Sequence, residues 1–323
     1  MRQVTRIACW STLAVSALLP SFAVGQTASP KAMQLIKEFD QDQDGKLGKV
    51  ELERALASLF PQTREYVRVI KSEKGTPIAL ETSVASLESQ DGEVQVDLLG
   101  AIHVADASYY RELNKRFRDY DVVLYELVAP EGTRVPRGGQ KAQHPVGRMQ
   151  QGIKGLLDLA FQLDHIDYTR ENLVHADMSP EEFAKSMKDR GESFVQILFR
   201  MMGQAAAKSS DQERPSDFDL IRALFASDRA LRLKRVMATQ FQDIEAQMKV
   251  LEGPNGSTLV GERNKKALSV LRKEMDKGHK KIGIFYGAAH MPDISRRLQE
   301  DFGMRPADEE WLKAWDMSTG ADQ

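Results

Sequence analysis

Two apolar rhythms alternate along this chain, and the switches between them predict its elements. From Ile78 to Leu87 apolar and polar residues alternate weakly, as in a strand. Asp91-Gly92 is a hairpin-type turn, and Val94 to Leu99 is the next strand. Ala107 to Tyr120 takes helical spacing, with Asp106 or Ser108 as N-cap. Asp121 to Tyr125 is a short continuous apolar run, as in a buried strand, and it ends at Glu126. Strand, helix and strand in this order predict a βαβ unit. The middle of the chain differs. Glu131 to Gly147 is a Gly/Pro-rich loop with basic residues, and 149–251 reads as a helical insertion or lid over one end of the sheet. It is broken at Leu173 to Met178, and Ser179-Pro180-Glu181-Glu182 then starts a helix with a cap, a proline at N1 and a glutamate at N3.

The βα rhythm then returns. Thr258 to Val260 is expected to be a short strand ending in Gly261-Glu262-Arg263-Asn264, followed by a helix to about Lys277 that stops at Gly278. Ile282 to Tyr286 is a strand, and Ile294 to Phe302 a helix stopped by Gly303. The tail, with Trp311, Leu312 and Trp315, is expected to pack as a last element. Pro61 and the charged run Lys71 to Pro77 read as a linker. The expected fold class is α/β: a central sheet flanked by helices, built from two βα halves over 78–318, with the helical insertion and a small N-terminal module.

Residues 1–25 read as a signal peptide: Arg2 and Arg6 precede an apolar stretch from Ala8 to Leu19, and Ala23-Val24-Gly25 offers a cleavage site before Gln26. The protein is therefore expected to be exported, periplasmic or secreted, with no stable membrane span after cleavage. Cys9, the single cysteine, lies in that segment, so the mature chain would lack disulfides, thiol nucleophiles and thiolate ligands. A net charge of -2 and a pI near 6.4 speak against a nucleic-acid partner.

The N-terminal module, 31–62, fits a calcium-binding EF-hand. In its twelve-residue loop Asp40, Asp42 and Asp44 occupy positions 1, 3 and 5, and Gly45 the sharp turn at position 6. Lys46 would offer a backbone carbonyl, Gly48 a water-mediated position, and Glu51 a two-oxygen closure at position 12. Leu35, Ile36 and Phe39 before the loop, and Leu52, Ala55, Leu56 and Leu59 after it, have helical spacing. The alternative is an acidic solvated turn. With no second loop to pair with, the module is expected to hold structural Ca2+ or to dimerise through its unpaired face.

One pattern occurs twice. Gly100-Ala101-Ile102-His103-Val104-Ala105-Asp106-Ala107-Ser108 is matched by Gly287-Ala288-Ala289-His290-Met291-Pro292-Asp293-Ile294-Ser295, and each follows a strand and precedes a helix. The expected strand ends carry His103, Glu126, Glu262-Arg263 and His290, and sites in open α/β sheets form outside the carboxyl ends of strands. Asp106, Ser108, Asp293 and Ser295 read as helix caps rather than catalysts. Tyr125 and Tyr286 read as packing. Of the other histidines, His175 has the best context, while His144, His165 and His279 have none. Gly-x-Ser-x-Gly, H-E-x-x-H and dinucleotide or phosphate-loop motifs are absent.

The two Gly-x-x-His motifs, Glu126 after the strand that follows the first, and Arg263 within Glu-Arg-Asn before the second resemble the TraB/PrgY/Tiki (GumN-like) family over roughly Ile78 to the C-terminus. That resemblance implies a fold similar to the erythromycin esterase and ChaN-like group. It implies metal-dependent peptidase-like activity on secreted peptides, with His103, Glu126 and His290 as the site and Arg263 beside it. The EF-hand, the long helical middle and the lack of a C-terminal membrane anchor depart from the family pattern.

By their own chemistry, two imidazoles and a carboxylate form a common three-ligand set for a divalent transition metal such as Zn2+, Mn2+ or Co2+. Glu126 as ligand with Glu262 as general base, or the reverse, are both open, and Arg263 can stabilise an oxyanion or pair with Glu262 or Glu126. Two alternatives stand beside the metal hydrolase. One is a non-catalytic cleft that captures a peptide, a small ligand or haem. The other is a metal-independent, esterase-like hydrolase with a histidine base.

Overall fold

The structure, a computed structural model, describes residues 33, 36–37, 39–40, 44–48, 51–52, 64–130, 132–133, 135, 159–193, 226, 228–241 and 256–319. The expected signal peptide, Asp42, His144 and most of the 149–251 region lie outside them. The chain divides into two compact units, Met1–Thr63 and Arg64–Gln323.

In the first unit the chain is helical at Met33, Ile36, Lys37 and Phe39, and again at Glu51 and Leu52. Between them it turns on Gly45, whose φ of 82° is left-handed and suits glycine. Local acceptors hold the turn. The Asp40 carboxylate accepts from the Asp44 N–H (3.2 Å) and the Gly45 N–H (2.9 Å), Asp44 Oδ1 from the Lys46 N–H (2.8 Å), and Glu51 Oε2 from the Gly48 N–H (2.7 Å).

The second unit is an α/β fold on a mixed seven-stranded sheet. Its elements are β1 (Val67–Lys71), β2 (Pro77–Glu88), β3 (Gln95–Ala101), β4 (Val104–Ala105), α1 (Ala107–Arg116), β5 (Val122–Tyr125), β6 (Ala160–Phe161), α2 (Gln162–His165) and β7 (Leu173–His175). Then follow α3 (Pro180–Asp189), α4 (Arg229–Phe241), α5 (Arg263–Asp276), β8 (Lys281–Gly287), α6 (Met291–Phe302) and β9 (Arg305–Asp316). The main sheet runs β1-β2-β3-β8-β5-β7, with β9 pairing β2. From β3 through β8 and β5 to β7 all pairings are parallel. β5 and most of β8 read as unbroken apolar runs because they are covered on both faces. Val122 to Leu124, Ile282, Ile284 and Phe285 are all buried. The covering helices bury one stripe each: Tyr109, Tyr110 and Leu113 from α1, Ala267, Leu268 and Leu271 from α5, and Ile294 and Leu298 from α6. Each such large apolar side chain contributes roughly 1.5–3 kcal/mol by leaving water.

Several expectations are corrected. The stretch 71–77 is not a linker but the turn of a β1–β2 hairpin, closed where the Ser72 N–H donates to the Thr76 carbonyl (2.8 Å). Thr258 to Val260 is not a strand. Thr258–Glu262 is a π-helical turn that leads into α5, with the Ser257 hydroxyl accepting from the Val260 N–H (3.3 Å). The break expected at 173–178 holds a strand of the main sheet, Leu173–His175, paired with β5. The tail does pack as a last element, a twelve-residue strand lying antiparallel to nearly all of β2. Its first half, Pro306 to Glu310, is polar and carries no strand rhythm, and charge on an edge strand discourages pairing with another chain. Trp311 lies under the Arg68 guanidinium at 4.0 Å, and Trp315 Nε1 donates to the Val104 carbonyl (2.8 Å). Among the described residues no helix is long and apolar enough to cross a membrane.

Candidate functional site

Register places the chemistry. Ala101 of β3 pairs with Gly287 of β8, and Tyr125 of β5 stands between Phe285 of β8 and His175 of β7. The residues just beyond these strands therefore gather on one edge: His103, Glu126, Asp177 and the turn from Gly287 to His290. Gly287 is the common point. A Cβ added there would stand 3.2 Å from Glu126 Oε2, 3.6 Å from His290 Cδ2 and 3.7 Å from His103 Nε2. Hydrogen at this position leaves the space that the three side chains share.

The three members differ in exposure. His103 is exposed and sits in the bend between β3 and β4, whereas His290 is 6% exposed, in the turn that starts α6. Tyr286 packs edge-on against the His290 ring, with centroids 5.3 Å apart, and its hydroxyl donates to the Ala176 carbonyl (2.6 Å). His103 Nδ1 lies 2.9 Å from Gln162 Oε1, and His290 Nδ1 2.7 Å from Asn264 Oδ1. His290 Nε2 is 3.6 Å from Glu126 Oε1, too long for a hydrogen bond.

Glu126 is the electrostatic centre. Its Oε2 accepts from the Gly287 N–H (2.6 Å), and its Oε1 from Arg263 Nη2 (2.6 Å). Burial alone would raise its carboxyl. The neighbouring His290, Arg263 and His103, with the Gly287 N–H, outweigh burial and hold it at about 2. Burial also pushes the His290 imidazolium down, so the ring is neutral near pH 7, and Arg263 is the lasting counter-charge to Glu126. Arg263 is itself shared. Its Nε and Nη2 donate to the two oxygens of the buried Asp177 at 2.9 and 2.5 Å. Burial works against the guanidinium charge, but the bonds to Asp177 and the charge of Glu126 raise its pKa further. A planar fork spanning two carboxylates is a geometry that lysine does not reproduce.

The other expected residues fall elsewhere. The Glu262 carboxylate pairs with Arg190 (3.3 Å) and Lys265 (2.8 Å), because the turn before α5 is helical and does not end a strand at the site. Asp106 occupies the N-cap position of α1 but makes no capping bond. Instead it accepts from Lys234 Nζ (2.7 Å) and the Asp316 N–H (2.6 Å). Asp293 and Ser295 are not caps, since α6 already begins at Met291. His175 Nε2 meets the Leu127 carbonyl (2.6 Å), His165 stacks on Tyr110, and His279 pairs with Glu274. Asp177 has no motif around it. Its only sequence sign is its place, two residues past a short apolar run.

Chemically the cluster offers two imidazole nitrogens and one carboxylate. The His290–Glu126 separation is close to that of two donors sharing one ion at about 2.1 Å each. Among the described residues no group of three or more His, Cys, Asp or Glu side chains is arranged to hold a metal ion as it stands. No protein-family model, curated protein or solved structure matches the chain.

Proposed function

We propose that this protein is an exported, metal-dependent, peptidase-like hydrolase of the TraB/PrgY/Tiki (GumN-like) type, with a separate calcium-binding EF-hand. One observation carries the reading: His103, Glu126 and His290, distant in sequence, meet at Gly287 outside the carboxyl ends of three adjacent parallel strands. The donor types suit Zn2+, Mn2+ or Co2+, with Glu126 as the carboxylate ligand. A divalent ion held there would supply Lewis acidity and activate a water molecule near neutral pH. The chain's own residues do the rest. Glu126 stays ionised through Arg263 and the Gly287 N–H, and burial keeps His290 neutral and able to ligate. His103, the exposed member, already brings its Nε2 to 3.7 Å from the place a Gly287 Cβ would take. Arg263 is committed to Glu126 and Asp177, so it organises the site rather than meeting substrate. Glu262 has no geometric claim to the general-base role. The calcium reading rests on the Asp40, Asp44, Gly45 and Glu51 contacts, and export rests on the leader pattern of residues 1–25.

The test is titration of the mature chain with Zn2+, Mn2+ and Co2+ by calorimetry, beside mass-spectrometric readout of peptide-library cleavage. His103→Ala and His290→Gln should each weaken ion binding at least about tenfold and stop chelator-sensitive cleavage. A chain that binds none of the ions, with cleavage untouched by His290→Gln, would overturn the metal reading. A second reading is a non-catalytic cleft for a peptide, small ligand or haem, built on the same edge of the sheet where His103 stands exposed. Ligand capture without ion binding or turnover would establish it.

A further inference from the structure

His103 and His290 belong to different halves of the fold, yet one device holds both rings. Each Nδ1 faces a side-chain amide oxygen: Gln162 Oε1 at 2.9 Å for His103, and Asn264 Oδ1 at 2.7 Å for His290. An amide oxygen only accepts, so with the amides oriented this way each Nδ1 carries the proton. A neutral ring protonated there keeps its lone pair on Nε2. Those Nε2 atoms face the shared point: His290 Nε2 is 3.6 Å from Glu126 Oε1, and His103 Nε2 is 3.7 Å from the place a Gly287 Cβ would take.

The amides are themselves anchored. Asn264 Nδ2 donates to Asp293 Oδ2 (2.9 Å) and more weakly to the His290 carbonyl (3.4 Å). An ionised carboxylate cannot donate, so the amide nitrogen must face Asp293 and the oxygen must face the ring. Arg296 (2.6 Å) and Arg297 (2.7 Å) donate to Asp293 in turn. On the other side, Gln162 Nε2 donates to the Tyr168 hydroxyl (2.8 Å), and the Gln162 backbone N–H donates to the His103 carbonyl (3.0 Å). Gln162 and Asn264 are both buried, at 5% and 0% exposure. Neither amide therefore has water as a substitute partner.

We infer that Gln162 and Asn264 are positioning residues that lock both imidazoles in the Nδ1–H tautomer, anchored by Tyr168 and Asp293, and so aim both Nε2 lone pairs at one point. The expected effect on ion affinity rests on the metal reading above. The tautomers do not, because they belong to the protein without an ion.

The decisive measurement is long-range proton–nitrogen NMR of the imidazoles in the uniformly labelled mature chain, with His103→Ala and His290→Gln assigning the signals. Both rings should show a protonated Nδ1 and a bare Nε2. Gln162→Leu removes the acceptor and should move the His103 ring toward the Nε2–H form, leaving His290 unchanged. Gln162→Glu restores an acceptor and should restore Nδ1–H. Mn2+ or Zn2+ affinity should fall about 10–100-fold in Gln162→Leu and recover in Gln162→Glu. A protonated Nε2 on either wild-type ring, or a His103 tautomer indifferent to Gln162→Leu, overturns the inference. If the wild-type chain binds no ion, the metal reading fails alone and the tautomer signals still decide this one.

Discussion

Replacing Arg263 by Met tests the electrostatic account of the site without any assumption about substrate. The side chains of Arg263, Glu126 and Asp177 are 11%, 10% and 0% exposed, and Arg263 bonds both carboxylates. Met keeps most of the volume and removes the only cation bonded to either carboxylate among the described residues. Breaking a buried pair by deleting one partner costs about 3–5 kcal/mol, because a charge is left in a poor solvent. The acidity of Glu126 sets a ceiling of the same order, since His290, His103 and the Gly287 N–H share in it with Arg263. A carboxyl whose midpoint falls from 4.5 to about 2 on folding contributes on the order of 3 kcal/mol near pH 7. For a unit of this size the loss corresponds to a Tm drop of roughly 10 °C. The sign with pH follows. The folded midpoint is depressed, so the wild-type contribution is complete above about pH 4.5 and is lost as pH falls toward 2. In the variant, Glu126 loses the guanidinium that opposes burial, so its carboxyl rises and protonating it relieves part of the cost. The gap between wild type and variant should therefore narrow from pH 7 to pH 4. Urea unfolding followed by tryptophan fluorescence reads this unit, because Trp311 and Trp315 both lie in β9. A loss below about 1 kcal/mol at pH 7, or a gap that widens toward pH 4, would refute the argument.

Two glycines in the same strand separate site from core. Gly287→Ala puts a methyl 3.2 Å from Glu126 Oε2 and within 3.7 Å of His103 Nε2, so Zn2+, Mn2+ or Co2+ binding should disappear in calorimetry while the fold survives. Gly283→Ala instead meets Leu99 Cδ1 at 2.9 Å and Val123 Cγ2 at 3.3 Å, and should cost about 1–3 kcal/mol while leaving ion binding intact. Normal binding by Gly287→Ala would show that the cluster is not the site. In the N-terminal unit, Glu51→Ala removes the acceptor of the Gly48 N–H and the closing carboxylate, so a calcium-dependent rise in melting temperature seen with the intact chain should vanish. An unchanged rise in Glu51→Ala would place calcium elsewhere.

Local rules carried much of this protein. Alternation and unbroken apolar runs marked β2, β3, β5 and β8, because strands covered on one or both faces must look that way. Gly303, with φ 65°, stopped α6 where a helix end favours glycine. The repeated Gly-x-x-His pointed to His103 and His290, since strand ends followed by helices are readable from spacing alone. Residues whose meaning lies in a distant partner were not readable. Glu262 looked like a site residue while its stretch looked like a strand, but a helical turn gave its carboxylate to Arg190 and Lys265. Asp177, Gln162 and Tyr168 sit in unremarked sequence and matter only because register brings them beside Arg263 and His103. β9, half of it charged, became a strand because β2 offered it a long edge, and such pairing energy is written on two segments at once. The sequence by itself determined the βα rhythm and the two histidines. Tertiary structure alone decided which carboxylates and amides stand around them, because those groups bond to partners 26 to 161 residues away and not to their neighbours in the chain.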